Sequence, residues 1–109
     1  FSSFVFFSHF SSASIKRAFT DASSKGGFAE GDKFDYVINL AAETKFGQTP
    51  EVYSEKILDL ATKVGAAAKA HGVEKFVEVS TAQVYDSGSK PSKEDAKIKP
   101  WTTQATYKH

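Results

Sequence analysis

The sequence predicts an α/β fold in which three parallel strands are joined by crossover helices, in the order β-α-β-α-β. Two observations support this prediction. Short apolar runs at 4–7, 34–40 and 75–79 have the length of strands, and the run at 34–40 is almost continuously apolar, as in a parallel strand covered on both faces. Between the second and third runs lies one long amphipathic segment, 50–71, which has the length of a crossover helix.

The first third of the chain predicts one strand, one short helix and one loop. Residues 1–10 are rich in phenylalanine, and no basic residues precede them, so the run at 4–7 indicates a buried strand rather than a signal peptide. Residues 12–19 have the apolar spacing of a short helix that begins at a serine cap. Residues 23–32 are rich in glycine and serine, which is typical of a surface loop.

The long helix has signals at both ends. Thr49 is a typical N-cap, Pro50 suits the first helical position, and Glu51 favours the positive end of the helix dipole. Gly72 is a typical residue at which a helix stops. We expect this helix to bury one apolar stripe, which consists of Val52, Ile57, Leu60, Ala61, Val64 and Ala68. Beyond the third strand the chain is polar, and residues 101–109 indicate the start of another helix.

Composition restricts the class of protein. With 109 residues the chain has room for one domain, and 40% apolar residues are ordinary for a globular one. The net charge of +1 gives no reason to expect a nucleic-acid partner, and the absence of cysteine excludes disulfides, thiolate metal sites and a cysteine nucleophile. These features suit the cytosol or an organelle matrix. Because the chain begins with Phe1 and contains no methionine, we expect a processed chain or a piece of a longer one.

Small and hydroxyl side chains follow the last two strands. The second strand runs into Ala41 and Ala42, and the third runs into Ser80 and Thr81. In an open parallel sheet, ligands bind at the carboxyl ends of the strands, so we expect Ala42 and Thr81 to open on one crevice. Small residues allow a ligand to approach the backbone, and a hydroxyl can hydrogen-bond it. The simpler alternatives are close helix–strand packing for the alanines and bonds to free backbone groups for the hydroxyls.

These strand ends resemble motifs of the extended short-chain dehydrogenases/reductases of the NAD-dependent epimerase/dehydratase type. Residues 39–42 resemble their N-x-A-A/G strand end, and residues 80–85 resemble their S-[ST]-x-x-V-Y strand end. The resemblance implies a Rossmann-like three-layer unit and an NAD or NADP cofactor that lies along Ala41 and Ala42, with Ser80 on its nicotinamide side. It also implies hydride transfer at a secondary alcohol, often that of a nucleotide sugar.

Two residues would have catalytic roles according to the resemblance. Thr81 corresponds to the catalytic hydroxyl, which stands three residues before the valine of the motif, and Tyr107 is the candidate proton-transferring phenol. The family places a lysine four residues after this tyrosine, where its positive charge lowers the phenol's pKa. This chain ends at His109, and Tyr107 stands further from Pro100 than is usual in the family.

Other departures leave a second function open. The sequence contains no G-x-x-G-x-x-G loop, so residues 1–109 predict a partial NAD(P)-binding domain without the glycine-rich unit that binds the pyrophosphate, and we expect the chain alone to be inactive. The alternative is a catalytically silent relative that serves as a scaffold or partner-binding protein. For the intact protein we expect a nucleotide cofactor, a small-molecule substrate, no nucleic acid and no membrane span. A homodimer through the long helix, whose outer surface has Ala66, Ala67 and Ala70, is a further expectation.

Overall fold

A computed structural model of the chain describes residues 4–7, 15, 19 and 34–109. Its sheet contains three parallel strands: β1 is Phe4–Phe7, β2 is Tyr36–Asn39 and β3 is Lys75–Glu78. β2 lies in the middle, between β1 and β3. The register places Phe7 opposite Asn39, and Asn39 opposite Glu78, so all three strands end at the same edge of the sheet.

The predicted crossover from β2 through the long helix to β3 is confirmed, because these two strands are parallel neighbours. The connection between β1 and β2 falls largely outside the described residues. Of the helix predicted at 12–19, Ile15 and Phe19 are described, and both are helical and buried. The loop predicted at 23–32 also lies outside the described residues. The complete β-α-β-α-β unit therefore stays a prediction.

The long helix is one continuous helical run with three parts. Helix α1 is Pro50–Tyr53, a π-helical segment is Ser54–Asp59, and helix α2 is Leu60–Ala70. Thr49 is the N-cap, as predicted, because its Oγ1 accepts the Val52 amide at 3.5 Å. The pKa of Glu51 is held below its usual value by hydrogen bonds from the Glu51 amide and from the Thr49 hydroxyl. Gly72 ends the run with a φ of 68°, a conformation that glycine adopts without steric cost.

The core lies between the sheet and helix α2. The predicted stripe is confirmed at four positions, Ile57, Leu60, Val64 and Ala68. The other two, Val52 and Ala61, are only half-buried. Tyr53 is buried and was not predicted, although it stands four residues before Ile57 and thus on the same helix face.

The sheet is covered unevenly. Val37 and Asn39 of β2 are fully buried, whereas Tyr36 and Ile38 on the other face are half-buried, so one face of this strand is fully covered and the other is partly covered. All four residues of β3 are exposed. The end of β3 is therefore accessible to solvent, while the end of β2 is enclosed.

Candidate functional site

The carboxyl edge of the sheet is the candidate site, and a short helix lies beside it. This helix, α3, is Thr103–Lys108, and it confirms the helix predicted near the C-terminus. Thr102 caps it by accepting the Ala105 amide at 3.2 Å, and the Thr102 hydroxyl donates to Gln83 Oε1 at 2.8 Å. Gln83 belongs to the 3₁₀ turn Ala82–Val84 that follows β3. The polar segment after this turn thus returns to the sheet and places α3 at the strand ends.

Asn39 is the last residue of β2, and its side chain is completely buried. Its Oδ1 accepts the Ala41 amide at 3.1 Å, and its Nδ2 donates to Glu78 Oε2 at 2.7 Å. A buried amide needs partners at both ends, and this one has them. The turn that leads into Ala41 and Ala42 is consequently held by a side chain from the strand itself.

Glu78 ends β3 and lies directly opposite Asn39 in the sheet register. Although the residue as a whole is exposed, partial burial of its carboxyl group raises its pKa above the usual value. The hydrogen bond from Asn39 and the positive charge of Lys108 act in the opposite direction and only reduce this increase. A carboxyl group with a raised pKa therefore lies at the end of β3, beside the end of β2.

Lys108, the last residue of α3, contacts the chain just beyond β3. Its Nζ donates to the Val79 main-chain oxygen at 2.7 Å, and its own main-chain oxygen accepts the Ser80 hydroxyl at 3.5 Å. Lys108 was not predicted to be a site residue, because it directly follows Tyr107 instead of standing four residues after it. The Y-x-x-x-K spacing of the family gives only a weak signal for Lys108, because the residue four positions before it is Gln104 and not tyrosine.

The four predicted residues at the strand ends lie at the same edge of the sheet. Ala41 is buried and Ala42 is half-buried after β2, while Ser80 is exposed and Thr81 is half-buried after β3. Thr81 also has a structural role, because its Oγ1 accepts the Gln83 amide at 3.3 Å and caps the 3₁₀ turn. This bond uses only the acceptor capacity of the hydroxyl.

Tyr107, the predicted phenol, contacts the long helix. Its ring stacks on that of Tyr53, with 6.2 Å between the centroids and 26° between the planes. Tyr53 is buried, and its hydroxyl donates to the Lys45 main-chain oxygen at 2.9 Å. Consecutive helical residues point about 100° apart. Helix α3 therefore directs Tyr107 toward the long helix and Lys108 toward the end of β3.

Two kinds of feature are absent from the described part of the chain. No group of three or more histidine and acidic side chains there is arranged to hold a metal ion. None of the described helices has both the length and the apolar character that crossing a bilayer requires.

Comparison with known proteins identifies the family. The model of the NAD dependent epimerase/dehydratase family matches residues 7–109. The chain belongs to this family. The resemblance inferred from the two strand ends is thereby confirmed. A search of curated proteins gave no match.

Solved structures of two sugar-nucleotide epimerases are similar to this family member. One is a UDP-glucuronic acid 4-epimerase from Bacillus cereus in complex with NAD, with 27% identity and a TM-score of 0.61 over 69% of this chain and 24% of that one. The other is a UDP-galactose 4-epimerase, with 26% identity and a TM-score of 0.64 over 86% of this chain and 30% of that one. The chain thus spans less than a third of the length of either epimerase.

Proposed function

We propose that this chain forms the strand-end part of the active site of an NAD(P)-dependent epimerase, dehydratase or oxidoreductase. The reaction is hydride transfer at a secondary alcohol, and nucleotide sugars are the substrate class. One observation supports the proposal most directly: β2 and β3 are parallel neighbours that end together, at Asn39 and Glu78. The two family motifs, which are far apart in sequence, therefore follow adjacent strands at the edge where such sheets bind ligands.

The residues present fit one part of a dinucleotide. Ala42 is half-buried and its side chain does not extend beyond Cβ, so a flat ligand could approach its backbone. The buried Ala41, whose amide donates to Asn39 Oδ1, holds that backbone in place. The exposed Ser80 hydroxyl would bind on the nicotinamide side. The sequence has no glycine-rich turn for the pyrophosphate, so the chain accounts for this part of the cofactor site alone.

The proposed chemistry divides between two hydroxyl groups. When bound, NAD or NADP supplies the acceptor and donor of the hydride. Thr81 would donate a hydrogen bond to the substrate oxygen, a role that its capping bond leaves open because that bond uses the oxygen as acceptor. Tyr107 would exchange the proton of the substrate hydroxyl. In this role the Tyr107 hydroxyl would reach the substrate while the Tyr107 ring stays stacked on Tyr53.

A second function has its own support. A catalytically silent relative would keep the strand ends and the fold but would lack proton transfer. Thr81 caps a turn, Tyr107 packs on Tyr53, and Gln104 stands four residues before Lys108. Thr81 and Tyr107 thus have structural explanations, and Gln104 stands where the family's spacing has its catalytic tyrosine.

A comparison of variants of the full-length protein separates the two functions. Thr81→Val removes the hydroxyl at nearly constant shape, and Tyr107→Phe removes only the phenolic oxygen. Thr62→Val is the matched control, because Thr62 lies in α2 and bonds Leu58. For an enzyme we expect Thr81→Val to lower kcat on UDP-sugars at least roughly a hundredfold, without weakening NAD binding. Binding of NAD by a wild type that turns over no UDP-sugar would instead support the silent relative.

A further inference from the structure

The ends of β2 and β3 are connected by a short series of polar groups that the family assignment does not explain. It runs from the Glu78 carboxylate to the Asn39 amide and on to the Ala41 main chain. We propose that Glu78 is a positioning residue, which acts through Asn39 to set the turn at Ala41 and Ala42. This proposal rests on the proposed function in one respect only, namely that this turn faces the cofactor.

The contact between the two side chains is short and direct. Glu78 Oε2 and Asn39 Nδ2 are 2.7 Å apart, at the short end of the range for a nitrogen donor and an ionised oxygen. The two residues are opposite each other in the register of parallel strands. No other residue stands between the two side chains, so the strand pairing itself places the carboxylate beside the amide.

The carboxylate determines which way the amide points. A primary amide has a donor end and an acceptor end of nearly the same shape, and an ionised carboxylate only accepts. Nδ2 must therefore face Glu78, which leaves Oδ1 to face the Ala41 N–H at 3.1 Å. In the reverse orientation two oxygens would meet at Glu78 and two donors would meet at Ala41. Because Asn39 is fully buried, no solvent would compensate either mismatch.

The orientation of Asn39 shapes the backbone that follows. An asparagine side chain that accepts the amide two residues later forms an Asx turn. Here this turn takes the chain out of β2, buries Ala41 at 2% exposure and leaves Ala42 half-buried. The backbone at the half-buried Ala42 is where the proposed cofactor approach occurs. Glu78 thus influences that approach from the neighbouring strand without contacting the ligand.

Three variants test the role of Glu78. Glu78→Gln retains an oxygen that can accept from Asn39, whereas Glu78→Leu has no acceptor, and Glu78→Thr has a hydroxyl on a side chain too short to reach. Since Glu78 lies on an exposed strand, we expect all three to fold. Glu74→Leu is the matched control, because Glu74 is an exposed glutamate that immediately precedes β3.

The first measurement is hydrogen exchange at the Ala41 amide of the full-length protein without ligand, with the buried Val64 amide as reference for global opening. We expect exchange at Ala41 to become about tenfold faster in the Leu and Thr variants, to change little in the Gln variant, and to be unaffected by Glu74→Leu. Unchanged protection of Ala41 in the Leu and Thr variants would overturn the proposal, as would an equal loss in the Gln variant.

The second measurement is NAD affinity by titration calorimetry on the same proteins. We expect the Leu and Thr variants to bind about tenfold more weakly, with the Gln variant within about threefold of wild type. If Ala41 responds as expected but the wild type does not bind NAD, the proposed function is wrong and the positioning role of Glu78 stands. If the wild type binds NAD and Ala41 does not respond, the positioning role of Glu78 is wrong and the proposed function stands.

Discussion

Lys108 Nζ donates a hydrogen bond to the main-chain oxygen of Val79, 2.7 Å away, and so connects the end of helix α3 to the chain that leaves β3. The Ser80 hydroxyl reinforces this connection by donating to the Lys108 main-chain oxygen at 3.5 Å. On the other side of α3, Tyr107 stacks on Tyr53. A helix of six residues is too short to be stable by itself, so α3 depends on these contacts.

Replacement of Lys108 by methionine should loosen α3. The change removes the ammonium group but keeps a flexible apolar chain, and hydrogen bonds that involve charged groups contribute roughly 1.5–3 kcal/mol. Because Lys108 is half-buried, we expect a loss of about 1–2 kcal/mol in the free energy of unfolding, measured by urea denaturation. Lys93→Met is the control, because Lys93 is exposed in the segment between the 3₁₀ turn and α3. It should change this free energy by less than about 0.5 kcal/mol.

The same Lys108→Met variant should alter Glu78. The positive charge of Lys108 lowers the pKa of the Glu78 carboxyl group, so its removal should raise that pKa further. An NMR titration of the Glu78 side chain in wild type and variant measures the shift directly. An unchanged or lowered pKa would mean that the ammonium group does not act on this carboxyl group.

Stability should depend on pH through Glu78. Burial raises its pKa in the folded state, while the carboxyl group has its usual pKa in the unfolded chain. The folded state therefore holds the proton more tightly, and the resulting stabilisation is present at low pH and lost as the pH rises through the raised pKa. Besides Glu78 itself, the groups that act on this carboxyl are the neutral Asn39 amide of β2 and the Lys108 ammonium of α3.

Urea denaturation of wild type and Glu78→Gln from about pH 4 to pH 7 tests this dependence, because glutamine has no proton to lose. We expect the stability of the wild type, relative to the variant, to fall as the pH rises. An increase with pH would show that Asn39 and Lys108 favour the charged carboxylate more than burial opposes it.

The two stacked tyrosines should respond differently to loss of the hydroxyl group. The Tyr53 hydroxyl donates to Lys45 and accepts the Gln48 amide at 3.3 Å, so Tyr53→Phe should cost about 1–2 kcal/mol of unfolding free energy. Tyr107→Phe preserves the stacked rings and should leave stability nearly unchanged. Thermal and urea denaturation of both variants test this contrast. Equal losses would contradict it.

The 109-residue chain by itself should bind dinucleotides weakly. Its sequence lacks the glycine-rich turn whose amides meet the pyrophosphate, and each charge-assisted bond of that kind contributes roughly 1.5–3 kcal/mol. The loss of two or three such bonds should weaken binding by several powers of ten, to about millimolar or weaker. Titration calorimetry with NADH checks this, and micromolar binding would reveal a phosphate site elsewhere in the chain.

Local sequence determined the elements whose signals lie within a few neighbouring residues. Thr49 and Pro50 start the long helix, and Gly72 ends it, because capping bonds and backbone preferences act over one turn. The two strand-end motifs identified the family and placed Ala42 and Thr81 at the same edge of the sheet. Even Tyr53 could have been predicted to be buried, since it stands four residues before the buried Ile57 and therefore on the same helix face.

Only the tertiary structure decided how the strand ends are connected. Asn39 and Glu78 meet because the register of two strands, separated by an entire helix, places them opposite each other. Lys108 reaches Val79 because a folded-back loop returns α3 to the sheet. The raised pKa of Glu78 follows from the partial burial of its carboxyl group in the folded chain. Such contacts depend on distances between segments remote in sequence, and those distances exist only once the hydrophobic core has brought the helix and sheet together.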